Sequence, residues 1–286
     1  MRRDAVAWLG LALLVLAVPV LAAKGDNGIL WRLEHVGQRP SHLLATIHSS
    51  DPRALDLPGP VAEVLGDARE LAVELAVNRE NIKSFSQLML LPQDDSLPEH
   101  IGRGLFRRVV KAMRERGVSA GSVDRMKPWA VAMALSMPTS GRQPVLDQRL
   151  QSMARRQGIP VSGLESPQEQ LAPFDALSQS QQRQLLEAAL TDLEEVEGLH
   201  ERMLEAYSNG DLRRLVALKE KTLAQGSESL RDFFEQRFIQ ERNARMTERI
   251  MPLLEEGGAF IAVGALHVPG ILERLERRGW QVSPVH

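Results

Sequence analysis

AFIAVGALHVPG, residues 259–270, reads as a buried strand that leads through a histidine into the first turn of a helix. Residues 259–263 are all apolar, which is typical of a strand covered on both faces. Pro269 is favoured in the first turn of a helix, so His267 lies where the strand ends and the helix begins. This segment predicts a strand–histidine–helix unit of an α/β fold.

Three further stretches repeat this arrangement of a short apolar strand with a polar residue at its end. They are HLLATIH ending at His48, ELAVEL containing Glu74, and IPVSGLE ending at Glu165. Ligands of open α/β sheets bind beyond the carboxyl ends of strands. The sequence therefore predicts that two imidazoles and two carboxylates converge on one edge of a sheet, as a metal site or an acid–base site.

Plainer interpretations of the same residues stay open at this point. The histidines could simply hydrogen-bond backbone at a turn, Glu74 could face solvent at a sheet edge, and Glu165 could cap a helix. Arg242 lies in a long amphipathic pattern, for which a solvated charge is the favoured interpretation. A clamp on a substrate carboxylate or phosphate is the alternative role for Arg242.

The rest of the chain alternates strands and helices at both ends, with a mostly helical middle. Residues 29–36 and 42–47 predict a hairpin, and 70–75 a buried strand that includes Glu74. We expect an α/β fold with a central mixed sheet, flanking helices and a largely helical insertion. The order His-then-Glu followed by Glu-then-His suggests an internal pseudo-twofold. Residues 24–286 are expected to form one domain. Within it, 79–157 should be mainly helical and cover the site as a lid, and 178–256 should form four helices.

Composition excludes several classes of function. The 286 residues are 43% hydrophobic and 25% charged, as in an ordinary globular protein. A net charge of −2 and only 4% aromatic residues supply neither the basic surface nor the base-stacking side chains of a nucleic-acid-binding protein. The absence of cysteine excludes thiol catalysis, thiolate metal sites and disulfides. A peptide or small-molecule substrate is the expected partner, and the oligomeric state is not fixed by the sequence.

The N-terminus has the features of a signal peptide. Arg2 and Arg3 precede an apolar run that ends at the small residues Ala22 and Ala23. We expect cleavage after one of these alanines, so that residues 1–23 are removed and the protein is periplasmic or secreted without further membrane contact. Because the apolar run approaches the length of about 18 residues needed to span a bilayer, an uncleaved anchor is the alternative.

Several motifs along the chain resemble one family. They are LWR at 30–32, LATIH at 44–48, VEL at 73–75, LD at 146–147 with Leu150, VSGLES at 161–166 with Gln170, RN at 242–243 and VGALHVPG at 263–270. Together they resemble the TraB/GumN family, which is related to the Tiki metalloproteases that cleave Wnt proteins and, more distantly, to erythromycin esterases. The family signature is a pair of Gly-x-x-His motifs. The second is intact here, whereas Ala45 replaces the first glycine and is expected to alter that turn slightly.

The resemblance implies a metal-dependent, peptidase-like hydrolase. His48 and His267 would be ligands of Mn²⁺, Co²⁺ or Zn²⁺, with Glu74 or Glu165 completing the shell and the other carboxylate acting as general base. Arg242 would orient substrate or stabilise an oxyanion, supported by Asn243. Two alternatives are a metal-free, esterase-like hydrolase in which His48 activates water, and a non-catalytic periplasmic binding or assembly protein.

Overall fold

The computed structural model describes residues 28–138, 144–191, 193–223 and 228–285. The predicted signal peptide lies outside the described residues. Six strands form one mixed sheet in the order β4-β3-β5-β2-β1-β6. Their bounds are β1 Leu30–Glu34, β2 Ser41–Thr46, β3 Glu70–Val73, β4 Val161–Gly163, β5 Ala259–Gly264 and β6 Gln281–Pro284.

The sheet has a parallel half and an antiparallel half. Strands β4, β3, β5 and β2 run parallel to their neighbours, so their carboxyl ends meet at one edge. β1 pairs antiparallel with both β2 and β6. These pairings confirm the predicted hairpin and the predicted α/β fold with a mixed sheet.

β5 is the last parallel strand along the chain, yet it lies between β3 and β2. Its register pairs Thr46 of β2 with Gly264, and Val73 of β3 with Ala262. Five of its six residues are buried, so side chains on both faces of the strand are covered. This central position accounts for the uninterrupted apolar run that the sequence shows.

Helices surround the sheet and fill most of the remaining chain. Their bounds are α1 Pro52–Leu55, α2 Gly59–Gly66, α3 Arg79–Leu88, α4 Leu97–Ile101, α5 Arg103–Glu115, α6 Ala120–Asp124, α7 Pro128–Ser136, α8 Leu146–Arg156, α9 Pro167–Asp175, α10 Gln179–Thr191, α11 Leu193–Ser208, α12 Leu212–Leu223, α13 Glu228–Phe234, α14 Glu241–Glu256 and α15 Val268–Glu276. A π-helical turn, Glu235–Gln240, joins α13 to α14. No helix in the described ranges is both long and apolar enough to span a bilayer.

Two details differ from the sequence predictions. Strand β3 ends at Val73, so Glu74 follows the strand instead of lying within it. The expected four helices over 178–256 are five in the described residues, and the π-helical turn lies between the fourth and the fifth. No glycine or proline separates α13 from α14, and a pattern read at 3.6 residues per turn does not detect a π-helical turn.

Candidate active site

The parallel half of the sheet brings the predicted site residues to one edge. Because the strand order is β4-β3-β5-β2, the residues that follow these strands are ordered Glu165, Glu74, His267 and His48. The backbone N–H of Glu165 donates to the carbonyl of Glu74 at 2.8 Å, which joins the first two loops. The late insertion of β5 therefore places His267 between the glutamate side and the His48 side of the edge.

Glu74 lies at the centre of this group. Its Oε1 accepts a 2.6 Å hydrogen bond from the backbone N–H of Gly264, and its Oε2 accepts one of 2.7 Å from Arg242. Burial alone would raise the pKa of Glu74, but the guanidinium of Arg242, His267 and the Gly264 amide outweigh burial and lower it. Glu74 is thus an ionised carboxylate at neutral pH, with 20% of its side chain exposed.

Arg242 is buried between two carboxylates and is not the solvated helix charge that its sequence context favoured. Its Nη2 donates to Oε2 of Glu165 at 2.6 Å, and its Nε contacts both oxygens of that carboxylate at 3.0 and 3.1 Å. Arg245 donates to Oε1 of Glu165 at 3.0 Å. The Glu165 side chain is fully buried, so Glu165 is the counter-ion of two arginines.

Glu165 does not cap α9 either. Ser166 and Glu169 form a reciprocal capping box at the start of that helix. Gln170, one turn into α9, points its amide nitrogen at the carboxylates of Glu165 and Glu74, at 3.3 and 3.5 Å. Sequence reasoning assigned no role to Gln170 or Arg245.

Asn243 fixes the ring of His267. The two side chains are joined by a 2.7 Å hydrogen bond between Nδ1 of His267 and Oδ1 of Asn243. Since an amide oxygen only accepts, Nδ1 carries the proton and Nε2 keeps a free lone pair. Burial, followed by the charge of Arg242, lowers the pKa of His267 to about 4, so the ring is neutral at pH 7. Nε2 lies 4.0 Å from Oε1 of Glu74.

His48 occupies the open side of the same edge and is paired with Asp147. Its Nδ1 is 3.7 Å from Oδ2 of Asp147, and 41% of its side chain is exposed. Asp147 is held in place by a 2.8 Å hydrogen bond from the hydroxyl of Thr46. Burial alone would lower the pKa of His48, but Asp147 and Glu74 outweigh burial and raise it. Asp147 was recognised in the sequence only as part of the family motif, with no role.

The glycine of the second Gly-x-x-His motif, Gly264, lies so close to Glu74 that a side chain would not fit. A Cβ at this position would lie 3.0 Å from Oε1 of Glu74. Its φ is not in the left-handed region, so the lack of a side chain matters here and backbone freedom does not. Ala45, the counterpart in the first motif, is buried within β2 and pairs with Val263 rather than with Gly264. Ala45 therefore lies within the strand, three positions before His48.

A cleft of about 600 Å³ opens at this edge, a volume typical of small-molecule sites. Its polar side is lined by Thr46, His48, Glu74, Asp147 and Gln170. Helices α3 and α7 contribute mostly apolar side chains to the lining, together with Asn81 and Ser86 of α3. Of the predicted site residues, His48 and Glu74 border the cleft directly, whereas Glu165, Arg242, Asn243 and His267 lie behind them and are almost completely buried.

The donor set suits a divalent ion in its chemistry. Within the described ranges, no three His, Asp or Glu side chains are grouped as a ready-made metal site. The two donor pairs, His267–Glu74 at 4.0 Å and His48–Asp147 at 3.7 Å, nevertheless have usable separations. Two ligands with bonds of about 2.1 Å to one ion can be at most about 4.2 Å apart. Each pair can therefore supply two ligands, which leaves the other positions of an ion to water or substrate.

Comparison with known proteins places this site in a family. The model of the TraB/PrgY/gumN family matches residues 29–284, which includes all six strands and the whole candidate site. The chain belongs to the TraB/PrgY/gumN family. No solved structure matches the chain.

Curated relatives of this family member include named metalloproteases. The chain is 26% identical to a protein named "Metalloprotease TIKI homolog" from Amphimedon queenslandica and 25% identical to "Metalloprotease TIKI2" from Xenopus tropicalis. The alignments cover 90% of this chain but only 61% and 60% of those relatives, so it spans about three fifths of their length. It is also 25% identical to "Uncharacterized protein YbaP" from Shigella flexneri, over 87% of this chain and 92% of that protein. These names suggest at most a TraB-family hydrolase or protease.

Proposed function

We propose that this chain is an exported, metal-dependent hydrolase, peptidase-like in its substrate, that acts at the cleft beside Glu74. The observation that carries the proposal is the pair formed by Glu74 and His267. An ionised carboxylate and a neutral imidazole with a free Nε2 lie 4.0 Å apart, and both are held by short hydrogen bonds of 2.6 and 2.7 Å. Such a pair can activate water or bind a divalent cation. The names of the TIKI relatives support the same chemistry.

The residues that would hold the ion are His267 and Glu74, while His48 and Asp147 lie on the open side of the same edge and act on the substrate. When bound, a divalent ion lowers the pKa of a coordinated water and polarises a carbonyl oxygen. The chain itself fixes the positions of these groups. Asn243 keeps Nε2 of His267 unprotonated, and Arg242 and Gly264 hold the two oxygens of Glu74. Glu165 pairs with Arg242 and Arg245 behind the cleft, and Glu74 and Asp147 are the site carboxylates that line it.

Asp147 and His48 complete the proposed acid–base machinery. Their interaction favours protonated His48, which borders the cleft and can donate a proton to a leaving group. The hydrogen bond from Thr46 fixes Asp147, and hence the orientation of His48. In this proposal Glu74 and His267 act on the attacking water, and His48 acts on the leaving group.

The first experiment measures metal content. The chain from Lys24 to His286 is purified in metal-depleted buffer, incubated with Mn²⁺, Co²⁺ or Zn²⁺, desalted and analysed by plasma mass spectrometry. We expect about one equivalent of one of these ions. We also expect it to be lost in His267→Ala but retained in His35→Ala, whose exposed ring lies in the β1–β2 turn at the opposite edge of the sheet.

Activity separates the alternatives. A quenched-fluorescence peptide library should be cleaved by the loaded wild type and not by Glu74→Gln. Cleavage that persists in the presence of a chelator, and without bound ion, would favour the metal-free hydrolase in which His48 activates water. Stoichiometric metal uptake without hydrolysis of any peptide or ester would favour a binding protein. Export is tested separately, by N-terminal sequencing of the mature protein, which we expect to begin after Ala22 or Ala23.

A further inference from the structure

Helices α3 and α7 form a second, mostly apolar part of the cleft lining, the α3–α7 wall. Its apolar members are Ile82 and Phe85 of α3, Met89 at the end of α3, and Met133 and Ala134 of α7, and α3 also contributes the polar Asn81 and Ser86. The polar groups of the proposed reaction and this apolar wall therefore face the same volume of about 600 Å³. A ligand that fills the cleft meets both surfaces at once.

The α3 side of this wall is not an ordinary part of the core. None of the residues of α3 is buried, and Ile82 is 55% exposed. Ile82, Phe85 and Met89 are spaced i, i+3 and i+7, which puts them on one face of the helix, turned to the cleft. Exposed apolar groups gathered in a concave site, instead of scattered singly, are typical of ligand-binding surfaces.

The side chains of the wall suit a ligand of variable shape. Met89 and Met133 are flexible and polarisable, and such side chains adapt to irregular apolar groups. Ala134 is half-buried and lines the cleft, and its small side chain leaves room that a larger residue would fill. The wall therefore favours large aliphatic or aromatic groups over small ones, without strict selection among them.

The polar side of the cleft favours a peptide as the carrier of that group. Gln148 and Gln170 border the cleft, and the amide nitrogen of Gln170 is taken up by the site carboxylates. Its Oε1 is then an acceptor for a backbone N–H, and the exposed amide of Gln148 offers both a donor and an acceptor. A simple ester of a fatty acid has no N–H to donate, whereas a peptide has one at each residue.

We propose that the α3–α7 wall is the specificity pocket for a large apolar side chain, such as Leu, Met or Phe, next to the scissile bond of a peptide. This inference rests on the proposed hydrolase function and names its substrate class. A large apolar side chain at that position is expected to raise kcat/KM about 10- to 100-fold over alanine, as for other hydrophobic specificity pockets.

The test compares two sets of variants on matched peptides that differ only in Ala, Leu or Phe at the varied position. Phe85→Ala should lower kcat/KM for the Leu and Phe peptides, mainly through KM, and leave the Ala peptide nearly unchanged. Ala134→Phe should fill the pocket and reverse the preference in favour of Ala. Phe106→Ala is the matched control, because Phe106 is also half-buried but lies on α5, away from the cleft.

Binding measured without turnover distinguishes failure of the pocket from failure of the hydrolase. Saturation-transfer NMR on metal-depleted wild type with acetyl-Ala-Leu-Ala-amide and acetyl-Ala-Ala-Ala-amide should show binding of the Leu peptide that Phe85→Ala weakens. That result would support the pocket even if no peptide were cleaved. Equal kcat/KM for all peptides, or an unchanged preference in Ala134→Phe, would overturn the pocket while the hydrolase stood. Preferential binding of p-nitrophenyl octanoate over every peptide would assign the wall to an acyl chain and overturn the peptide assignment.

Discussion

Removing the charge of Arg242 is the most direct test of the architecture behind the cleft. Arg242→Met keeps a long side chain but leaves two carboxylates without their shared counter-ion. Glu165, whose side chain is fully buried, loses contacts of 2.6, 3.0 and 3.1 Å. Glu74 loses one of 2.7 Å. Both carboxylates would then have to be desolvated without the cation that compensates them.

The expected loss of stability depends on the hydrogen bonds that the two carboxylates keep in the variant. Removing one partner of a buried ion pair costs about 3–5 kcal/mol. Glu165 keeps Arg245 at 3.0 Å, and Glu74 keeps the Gly264 amide at 2.6 Å, which limits the loss. We therefore expect Arg242→Met to lower the free energy of unfolding by about 3–4 kcal/mol. Because domains are stable by about 5–15 kcal/mol, the variant should still fold.

The assay is urea unfolding followed by far-ultraviolet circular dichroism, on Arg242→Met, Glu165→Gln and the double variant. Adding Glu165→Gln to Arg242→Met should recover at least about 1 kcal/mol, because it removes the charge left without a partner. Arg237→Met is the control, since its pair with Glu241 is exposed and worth about 0–1 kcal/mol. A loss no larger than that of the control, or strict additivity in the double variant, would refute the reasoning.

Three further predictions concern other parts of the chain. Gly270→Ala would place a Cβ against the amide nitrogen of Asn243, so we expect peptide hydrolysis to fall at least about tenfold with the fold intact, while Gly121→Ala, whose Cβ meets open space, leaves hydrolysis unchanged. Gly264→Ala would crowd Oε1 of Glu74, and metal uptake measured by mass spectrometry should fall. Lys219 is fully buried, and its pKa is lowered to about 8 by burial, which outweighs the opposing charges of Glu235 and Glu220. Below about pH 8, Lys219 is protonated in both the folded and the unfolded state, and its burial lowers the free energy of unfolding. This loss diminishes as the pH rises from about 8 to 10.5, the ordinary pKa of lysine. Lys219→Met should raise stability at pH 7 by up to about 3 kcal/mol and remove that pH dependence, and a lower melting temperature than wild type at pH 7 would contradict this.

The strand ends could be predicted from the sequence because their signal is local. Each apolar run is short, and each polar residue follows it within a few positions, so alternation with helices was enough to place His48, Glu74, Glu165 and His267 at one sheet edge. Their spatial order could not be predicted. It depends on β5 entering between β3 and β2, and no periodicity encodes the order of strands in a sheet.

The hydrogen-bond partners of the site residues could not be predicted from the sequence, for a different reason. Arg242 is 168 positions from Glu74 and 77 from Glu165, and a helical pattern shows only which face is apolar. The π-helical turn Glu235–Gln240 adds a residue to the turn before α14. A pattern continued through it at 3.6 residues per turn therefore misplaces the faces of α14, and Arg242 was assigned to solvent although it is buried.

The site divides into a closed half and an open half, and Glu74 is their common member. His267, Asn243, Arg242 and Glu165 are almost completely buried and joined by short hydrogen bonds, which fixes their geometry before any ligand arrives. His48 and Asp147 are partly exposed and border the cleft, so they meet the substrate with less support from the core.

Loss of a hydrogen bond in the closed half should therefore lower stability and activity together, because the same contacts stabilise the fold and position Glu74. Substitution in the open half should lower activity with little change in stability. Parallel measurements on Asn243→Ala and His48→Ala would separate the two halves, and equal destabilisation by both changes would contradict the division.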